Sequence, residues 1–422
     1  MKILFVANEV PFPPDNGVRI PIFHAMRLMS QAGHEIALAV LTAETYEVSD
    51  RFSCITTKFC SGGCLLERIP WRHPLAVQLA AILGQRLLFV EKYRSAVFRK
   101  KLVDLIGKFQ PDVIHFDLIP MVQYLNVTPA GVGRVASIND SYALTLENAL
   151  RAGYFRGLEY IYKKWQYYST QSYEASIYQQ FDQIQVMSET DKNYLLKLNP
   201  HLRVSVIPNG AEDALFHLTA STSSKSDIIF VATLTGAHLK GLQRFLSQSW
   251  PIVRKNFPSA RLNVVGKIGP DAGKLMEEYS GFPEVKFAGY IPDLSDVYRM
   301  GGIAIAPIDQ NCGIVNKVIE AMAAGLAVVG FEKTFSGIPL GKPGTDFVQA
   351  KDYESMGMEI VSLLKDTIRC TAVKMAGHEL ARKYYSWSSR QDAYAQMYEK
   401  AAQGARNGDN VQKLGLPVWS SH

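Results

Sequence analysis

The sequence IAIAPIDQNCGIVNKVIEAMAAGLAVVG, residues 303–330, decides the fold of this chain. It opens with the apolar run Ile303–Pro307, which is short and β-branched enough for a buried parallel strand. A polar turn that contains glycine, Asp309–Gly313, follows, and a helical pattern then runs to a stop at Gly325. A second apolar run, Leu326–Gly330, completes the pattern. The stretch therefore predicts a strand–helix–strand unit.

The start of this helix suits an anionic ligand. A helix entered through such a turn points unpaired N–H groups and its positive end at whatever lies above the sheet. Lys317 adds a positive charge there, and Glu320 lies one turn further on, where its carboxylate can accept two hydrogen bonds from a ribose diol. Phosphate at the helix start with ribose one turn later describes a nucleotide diphosphate. An ordinary helix packed on a sheet is the alternative, because this unit serves many functions.

The segment CGIVNKVIEAMAAGLAVV resembles the signature of retaining glycosyltransferases of family 4, which have the GT-B fold. That signature has a glutamate, seven residues, a second glutamate and then A-M-A-x-G-x-P-V-V. The second glutamate corresponds to Glu320, whereas Cys312 stands at the first glutamate and Ala327 at the proline. The chain therefore departs from the signature at one functional position, Cys312.

Length and composition fit a two-domain globular protein. A chain of 422 residues suits two domains of about 200 residues each. Its 47% hydrophobic and 20% charged residues are those of a soluble globular protein. A net charge of +6 favours anionic ligands or a membrane surface and is weak evidence for nucleic acid, so we expect no nucleic-acid partner.

The cysteines and the hydropathy pattern point to the cytoplasm. The cysteine count of five is odd, and the apolar run Lys2–Ala7 is followed at once by charged and proline-rich sequence, so it reads as a strand and not a signal sequence. Cys54, Cys60 and Cys64, with His73 beyond them, match no zinc motif, and we interpret them as loop thiols. No apolar run reaches 18 residues, so we expect no transmembrane helix.

The first half of the chain begins as a doubly wound domain. A strand at Lys2–Ala7, a helix from Val18 to a stop at Gly33 and a strand at Glu35–Leu41 establish the alternation. There is no G-x-G-x-x-G after the first strand, which argues against a dinucleotide dehydrogenase. Gly17 can instead bring bare backbone close to a ligand; a simple turn is the alternative.

Two later segments of this half allow more than one interpretation. Between residues 68 and 101, eight basic residues are interleaved with apolar ones, which fits either a membrane-surface face or the solvated faces of two helices: Arg68, Arg72, Arg86, Lys92, Arg94, Arg99, Lys100 and Lys101. The helical stretch Tyr154–Phe181 is crowded with aromatic residues. We predict that they pack in the core, and an inter-domain cleft is the alternative.

Asn139, Asp140 and Ser141 follow the predicted strand Arg134–Ile138, at the edge where open α/β sheets bind ligands. Many family members have His-Asp here, and since Asn139 replaces the histidine, only the role of the aspartate carries over, to Asp140. The pair Asp140 and Ser141 resembles the pattern of one subgroup of the family, in which an aspartate is followed closely by a serine. This subgroup contains the sugar transferases associated with bacterial exopolysaccharide and exosortase systems.

The second half repeats the alternation after the segment Ser221–Ser226, which looks like a linker. The strand Asp227–Thr233 leads through a loop to Lys240, which matches the lysine that contacts the donor phosphate in the family. Thr233 stands where many relatives have an arginine, and the turn Gly289–Ile291 matches the place where backbone groups read the base.

The resemblance implies an α/β chain of the GT-B class, with two Rossmann-like, doubly wound parallel-sheet domains facing across a cleft. We expect an N-terminal acceptor domain at 1–210, completed by a crossover helix at 385–403, and a C-terminal donor domain at 211–384. Residues 404–422 are polar and unpatterned, and we expect them to be disordered.

The implied activity is transfer of a sugar from a nucleotide-diphospho-sugar to an acceptor hydroxyl with retention, in polysaccharide or glycoconjugate biosynthesis. The acceptor would be a carbohydrate or a lipid-linked acceptor. The protein would be cytoplasmic, and it would lie at the inner face of the membrane if its basic region contacts the lipid. Helix N-termini and lysines would replace a metal, and no other cofactor is expected. The resemblance assigns Asp140 and Lys240 to catalysis, and assigns donor binding to Gly17, Gly266, Ile291, Cys312, Gly313, Ile314, Lys317 and Glu320.

Two other functions remain open at this point. A nucleotide-sugar epimerase shares the fold but needs its own carboxylate and histidine set near the anomeric carbon. A catalytically degenerate nucleotide-sugar-binding partner is the other, because Cys312 and Thr233 both depart from the expected residues. Slow hydrolysis of the donor without an acceptor would separate an enzyme from a binding partner.

Overall fold

The computed structural model describes residues 1–44, 48–69, 73–83, 87–151, 153–218, 227–308 and 315–407. It divides into two compact α/β units, each with its own parallel sheet. The first unit is Met1–Pro208 together with the last helix, from Gln391, and the second is Asn209–Arg390. The chain thus leaves the first unit after Pro208 and returns at Gln391, against 210 and 385 in the sequence prediction.

The first unit is built on a seven-stranded sheet whose strand order reverses between its first and fourth strands. The order is β3-β2-β1-β4-β5-β6-β7, and all pairs are parallel. Its strands are β1 (Lys2–Ala7), β2 (Glu35–Thr42), β3 (Cys64–Arg68), β4 (Val113–Asp117), β5 (Gly133–Asn139), β6 (Gln183–Val186) and β7 (Val204–Val206). The helices are α1 (Arg19–Gln31), α2 (Val48–Phe59), α3 (Pro74–Leu83), α4 (Leu88–Lys92), α5 (Ala96–Phe109), α6 (Tyr142–Arg151), α7 (Gly157–Ile177) and α8 (Glu189–Leu198).

The second unit repeats this plan with six parallel strands, in the order β10-β9-β8-β11-β12-β13. Its strands are β8 (Asp227–Val231), β9 (Arg261–Val265), β10 (Val285–Gly289), β11 (Ile303–Ala306), β12 (Ala327–Phe331) and β13 (Val348–Ala350). The helices are α9 (Gly236–Arg244), α10 (Trp250–Asn256), α11 (Gly273–Glu278), α12 (Leu294–Tyr298), α13 (Asn316–Ala323), α14 (Tyr353–Lys365) and α15 (Thr367–Tyr385). Two doubly wound parallel sheets confirm the predicted fold class.

Strands covered on both faces explain the uninterrupted apolar runs of the sequence. Residues 3–7 of β1 and all of β11 are buried, as expected for central strands of a sheet with helices on both sides. Ser188 caps α8 through its hydroxyl oxygen, which accepts from the Asp191 N–H at 3.1 Å. The order reversal beside β1 and β8 places a ligand-binding crevice at the carboxyl edge of each sheet.

The last helix, α16 (Gln391–Arg406), belongs to the first unit through close backbone packing and a buried hydrogen bond. The Tyr398 hydroxyl lies 2.9 Å from His115 Nδ1 on β4, and burial lowers the pKa of His115 to about 3, so the ring is neutral. A methyl group on Gly133 would lie 2.7 Å from the carbonyl carbon of Ala401. Glycine in β5 therefore allows α16 to lie directly on the sheet.

Helix α15 begins at Thr367, where the Asp366 side chain accepts from the Arg369 N–H and caps it. Two expectations are wrong in detail. Helix α9 begins at Gly236, so Lys240 lies within a helix and not after a loop. Helix α16 extends to Arg406, past the expected start of the tail, whereas 408–422 and the linker Ser221–Ser226 lie outside the described residues.

The predicted core packing of the aromatic stretch is correct at its C-terminal end, where Tyr178 and Phe181 are buried, and wrong for most of α7. On α7 only Thr170 and Glu174 are buried, while Tyr160, Tyr162, Trp165 and Tyr168 are exposed. The physical reason is that α7 packs mainly on α6 and α8, which cover only one side of it, so its other side stays in water.

We expect Gly133→Ala to destabilise the first unit by about 1–3 kcal/mol, because the new methyl group would overlap the backbone of α16. Urea unfolding monitored by circular dichroism measures this change. Gly107→Ala is the matched control, since it lies on α5 with open space around its Cβ position and should stabilise the protein by up to about 1 kcal/mol. Equal effects of the two substitutions would contradict the packing of α16 described here.

Candidate functional site

The predicted strand–helix–strand unit is confirmed as β11, α13 and β12, with β11 ending and α13 beginning at the carboxyl edge of the second sheet. Helix α13 begins at Asn316 and ends before Gly325, whose φ of +75° fits the predicted stop. Residues 309–314, with the expected donor-binding residues Cys312, Gly313 and Ile314, lie outside the described residues. Their roles stay predictions.

Glu320 is the central charged group at the start of α13. It lies one turn into α13 and only 5% of its surface is exposed. Its Oε2 accepts hydrogen bonds from the Tyr298 hydroxyl at 2.8 Å and from Lys317 Nζ at 2.9 Å, and its Oε1 lies 3.2 Å from the same Nζ. Burial and the neighbouring carboxylate raise the pKa of Tyr298 well above its usual value, so the phenol stays a donor.

These contacts change the picture that the sequence suggests for Lys317. Its ammonium group neutralises Glu320 three residues away and does not stand alone at the helix start. Both carboxylate oxygens already have protein donors, as a buried charge requires. A ribose diol would therefore replace Lys317 on Glu320, and the donor-binding roles of both residues stay predictions.

The Pro-Asn-Gly segment that follows the first unit packs against the same helix start. Asn209 Nδ2 donates to Asn316 Oδ1 at 3.1 Å, and a methyl group on Gly210 would lie 2.7 Å from the Trp387 backbone nitrogen. Ala211 also pairs with Ser386 in a parallel bridge. The first residues of the second unit are thus fixed beside the turn into α13.

A cavity of about 180 Å³ opens between the ends of β8 and β11 and the first turn of α13. Its walls are mainly apolar, with Thr233, His238, Tyr298 and Lys317 as polar members. Desolvation lowers the pKa of His238, opposed by a hydrogen bond with the Thr233 backbone, so the imidazole is neutral. The cavity is smaller than the roughly 300 Å³ of a typical small-molecule pocket, and it is sized for part of a nucleotide.

Lys240 lies exposed on α9, and among the described residues it has no ion pair or hydrogen bond. The next residue, Gly241, explains why this helix lies at the end of β11: a Cβ atom there would come within 2.4 Å of the Pro307 carbonyl oxygen. The structure therefore brings an uncompensated lysine to the edge that carries Glu320.

Gly266 has a structural reason to be glycine. Its φ is +142°, and a Cβ atom would lie 1.9 Å from the Ala232 carbonyl oxygen, where the ends of β8 and β9 approach each other. Its N–H donates to the Gly289 carbonyl at 2.8 Å, and Ile291 is half-buried just beyond. These residues form the adjoining loops at the sheet edge, and no contact assigns them to a ligand.

In the first unit, Gly17 contacts Asn139, the residue before Asp140, at the carboxyl edge. The Gly17 carbonyl accepts from Asn139 Nδ2 at 3.3 Å, which connects the loop after β1 to the end of β5. Asn139 has a φ of +57° and follows a register shift in the pairing of β5 with β6, a bulge that re-aims the next side chain. Its Oδ1 is buried and has no hydrogen-bond partner among the described residues.

Arg19, in the first turn of α1, holds the loop that carries Gly17. Its nearly buried guanidinium pairs with Glu9 at 3.1 Å, with Asp15 at 3.0 Å and with Glu44. Three carboxylates around one buried arginine fix the loop against the edge of the sheet.

Asp140 is accessible to solvent, yet the protein around its carboxylate desolvates it enough to raise its pKa to about 6, and the charge of Asp191 adds to this. Asp140 is therefore an acid whose protonation changes just below neutral pH. An aspartate of this kind can accept hydrogen bonds from sugar hydroxyls above pH 6 and can donate one below it.

Glu174 and Asp191 hold the turn that carries Asp140, and sequence reasoning missed both. Glu174 is fully buried; it accepts from the Ser141 hydroxyl and the Tyr142 N–H, each at 2.8 Å. Asp191 accepts from the Ser141 N–H at 2.8 Å. Desolvation raises the pKa of Glu174 to about 7, although these hydrogen bonds lower it in part. Both residues are distant in sequence from Asp140, so no local pattern reveals them.

The basic region does not form a separate site. Its described members on α4 and α5 are exposed, and Lys101 pairs with Glu67 of β3. This fits the solvated-face interpretation, while Trp71, Arg72 and Arg86 lie outside the described residues. No helix within the described ranges has the length and hydropathy of a membrane span. In the same ranges, no three His, Cys, Asp or Glu side chains are grouped so that they could hold a metal ion.

Two family models match the chain. The model described as Glycosyltransferase Family 4 matches residues 16–215, and the model described as Glycosyl transferases group 1 matches residues 225–366. A search of curated protein sequences gave no significant match. Both units are thus covered by glycosyltransferase models.

Solved structures show the same architecture over nearly the whole chain. Sucrose-phosphate synthase from Thermosynechococcus elongatus has a TM-score of 0.66 at 15% identity, covering 95% of this chain and 99% of that one. HepE from Anabaena, in complex with UDP, has a TM-score of 0.64 at 13% identity, covering 94% and 100%. TarM from S. aureus, solved as a point mutant in complex with UDP, has a TM-score of 0.63 at 9% identity, covering 94% and 99%. Likeness at this identity shows the fold, which is GT-B.

We expect the contribution of Glu174 to the free energy of unfolding to fall as pH rises from about 4.5 to about 7, because the folded state raises its pKa from 4.5 to about 7 and so binds its proton more tightly than the unfolded chain. The loss is at most about 3 kcal/mol for this group, and the lowered pKa of His115 contributes the opposite slope in this range. Urea unfolding of the unchanged protein and the variant at several pH values measures it. The stability of the unchanged protein minus that of Glu174→Gln should fall with pH, whereas the same difference for the exposed Glu277→Gln control should not. An unchanged pH dependence in Glu174→Gln would contradict the burial of this acid.

Proposed function

Because both halves of this GT-B chain are glycosyltransferase domains, we propose that it transfers a sugar from a nucleotide-diphospho-sugar to an acceptor hydroxyl with retention of configuration. The acceptor is a carbohydrate or a lipid-linked carbohydrate, in polysaccharide or glycoconjugate biosynthesis on the cytoplasmic side. The observation that carries the donor assignment is the buried Glu320 at the start of α13, held by Lys317 and Tyr298 beside a cavity. HepE, which shares the fold, is seen with UDP and with UDP-glucose.

Donor binding exchanges the partners of Glu320. In the free protein Lys317 neutralises this carboxylate, as a buried charge requires. When the donor enters, the ribose hydroxyls donate to Glu320, and Lys317 turns to the diphosphate at the helix start. The ammonium group gains two negative charges in place of one, while the carboxylate keeps two donors. Lys240, which lacks a partner in the described structure, supplies the second cation.

The transfer needs no protein nucleophile. The acceptor hydroxyl oxygen attacks the anomeric carbon on the face from which the diphosphate departs, and the bond from that carbon to the diphosphate oxygen breaks. The acceptor proton moves to the departing diphosphate, so that charge and atoms balance. Lys240, Lys317 and the amides at the start of α13 stabilise the leaving group in place of a divalent cation. Asp140 orients a hydroxyl of the acceptor or sugar.

A panel of UDP-, GDP- and TDP-sugars tests the function. The correct donor at 100 times its dissociation constant should stabilise the protein by about 2.7 kcal/mol. Incubation without acceptor should then slowly release nucleoside diphosphate, and proton NMR of products should show retention. Stabilisation without any release, from every sugar, would instead indicate a nucleotide-sugar-binding partner. Inversion in the product would contradict the retaining assignment.

We expect Lys240→Ala to weaken binding of the nucleoside diphosphate by about tenfold or more and to leave the nucleoside unaffected, because a charge-assisted bond to phosphate is lost. Isothermal titration with UDP and with uridine measures both. Lys274→Ala, another exposed lysine of the second unit, is the matched control and should change neither. Equal weakening of both ligands by Lys240→Ala would mean that the lysine only supports the fold.

We expect Glu320→Gln to weaken binding of the nucleoside and of the nucleoside diphosphate by the same factor, because both ligands carry the ribose. The loss is roughly 1.5–3 kcal/mol for each charge-assisted bond at most. The same titrations measure it. Tyr298→Phe is the control for indirect effects, since it removes one donor to Glu320 and leaves the carboxylate in place. Unchanged binding in Glu320→Gln would remove this residue from the donor site.

A further inference from the structure

Exposed large hydrophobic side chains are concentrated on the hairpin of α6 and α7. Leu158 is 85% exposed, Ile161 64% and Trp165 52%. Five tyrosines of the same hairpin are exposed as well: Tyr142, Tyr154, Tyr160, Tyr162 and Tyr168. Leaving so much apolar surface in water is unfavourable, and a contiguous patch of this kind marks a docking surface.

Four of these residues form one continuous face of α7. Leu158, Ile161, Trp165 and Tyr168 recur at intervals of three, four and three residues, which places them on one side of a helix. We call these four residues the α7 stripe. The side that faces the protein carries Thr170 and Glu174, and both lie in the C-terminal half. The stripe therefore lies on the side of α7 opposite its two buried residues, and all four of its members precede them along the helix.

Basic residues outnumber acidic ones on the hairpin that carries the stripe. Between residues 142 and 168 there are four basic residues, Arg151, Arg156, Lys163 and Lys164, and two acidic ones, Glu147 and Glu159. Glu147 is already paired with Arg151. At about 100° per residue, Lys164 lies beside the stripe, whereas Lys163 lies on the opposite side of α7. The hairpin thus carries a net positive charge, with Lys164 at the margin of the aromatic and aliphatic face.

We propose that the α7 stripe docks on the surface of an anionic lipid bilayer. Leu158 and Ile161 enter the boundary with the acyl chains, Trp165 and Tyr168 lie at the level of the headgroups, and Lys164 faces the lipid phosphates. Apolar insertion and charge attraction act together here, and each basic residue near an anionic surface is worth about 1 kcal/mol. A glycan could stack on the aromatic rings, but it would leave the exposed Leu158 and Ile161 in water.

Docking would bring the reaction edge close to the lipid. Glu174 binds Ser141, beside Asp140, and it follows Trp165 by nine residues on the same helix, about 14 Å at ~1.5 Å per residue. This consequence rests on the proposed function, because it makes a lipid-linked acceptor the natural substrate. The docking itself does not depend on it.

Flotation of the full chain with vesicles tests the docking. Phosphatidylcholine vesicles with and without 30% phosphatidylglycerol (roughly the anionic content that attracts basic segments) are compared at low and high salt. We expect Leu158→Gln/Ile161→Gln to lower partitioning by about tenfold or more. Ile368→Gln/Met375→Gln is the matched control, since these residues are 83% and 68% exposed on α15 of the other unit, and should change nothing.

Two further variants separate the electrostatic contribution to vesicle binding from the apolar one. Lys164→Gln should weaken binding to anionic vesicles by about fivefold and should not affect binding to neutral ones, whereas Lys163→Gln, on the opposite side of α7, should have a smaller effect. Trp165 fluorescence should shift to the blue on binding, and the shift should be lost in Trp165→Phe. The circular dichroism of every variant should match that of the unchanged protein, because none of these side chains is buried.

Three results would overturn the proposal. The first is no binding of the unchanged protein to anionic vesicles at low salt. The second is an equal loss of vesicle binding in the stripe variant and in the α15 control. The third is a dimer in light scattering that dissociates in Leu158→Gln/Ile161→Gln while flotation is unaffected, since that assigns the stripe to a second copy of the chain. None of these results bears on donor binding, which is measured without lipid.

Discussion

The burial of the Glu320 carboxylate is the constraint around which the candidate donor site is arranged. A carboxylate with 5% of its surface exposed needs donors, and Tyr298 from α12 and Lys317 from the first turn of α13 supply them. Those two contacts fix where α12 and the start of α13 lie against the ends of β8 and β11. The first unit uses the same device, because the buried Glu174 of α7 holds the start of α6 and with it the turn of Asp140. In each unit, a buried acid orders a helix start at the carboxyl edge of the sheet.

This arrangement gives a physical reason for the charge of Lys317. The ion pair between Lys317 and Glu320 neutralises the buried carboxylate, and in the function proposed above the same lysine turns to the diphosphate when the donor enters. Helices α9 and α13 approach the same edge, because Gly241 lets α9 lie against Pro307. The second unit thus presents His238 and Lys317 at one small cavity, with the buried Glu320 paired to Lys317 and with Lys240 exposed on α9. In the proposed function, these groups bind the ribose and the diphosphate of the donor.

The parts of the fold that depend on local pattern could be predicted from the sequence. The runs that form β1, β11 and β12, the stop at Gly325 and the cap at Ser188 follow from periodicity and from the chemistry of single residues. Glu320 could be found because it lies on the helix that the pattern defines. Tyr298, His238 and Glu174 could not, since each reaches its site through contacts distant along the chain. The aromatic residues of α7 show the same limit, because an apolar face reads alike in sequence whether it is covered or exposed.

Hydrogen–deuterium exchange of the full chain, with and without saturating UDP, tests the central assignment most directly. Peptides that cover 303–323, including the turn at 309–314, should gain protection on binding, together with those around Lys240. Peptides from α5 (Ala96–Phe109) in the first unit should change much less. Glu320→Gln should abolish the protection of 303–323 at the same UDP concentration. Protection confined to the first unit, or none in 303–323 at a concentration that saturates binding, would contradict a donor site at the start of α13.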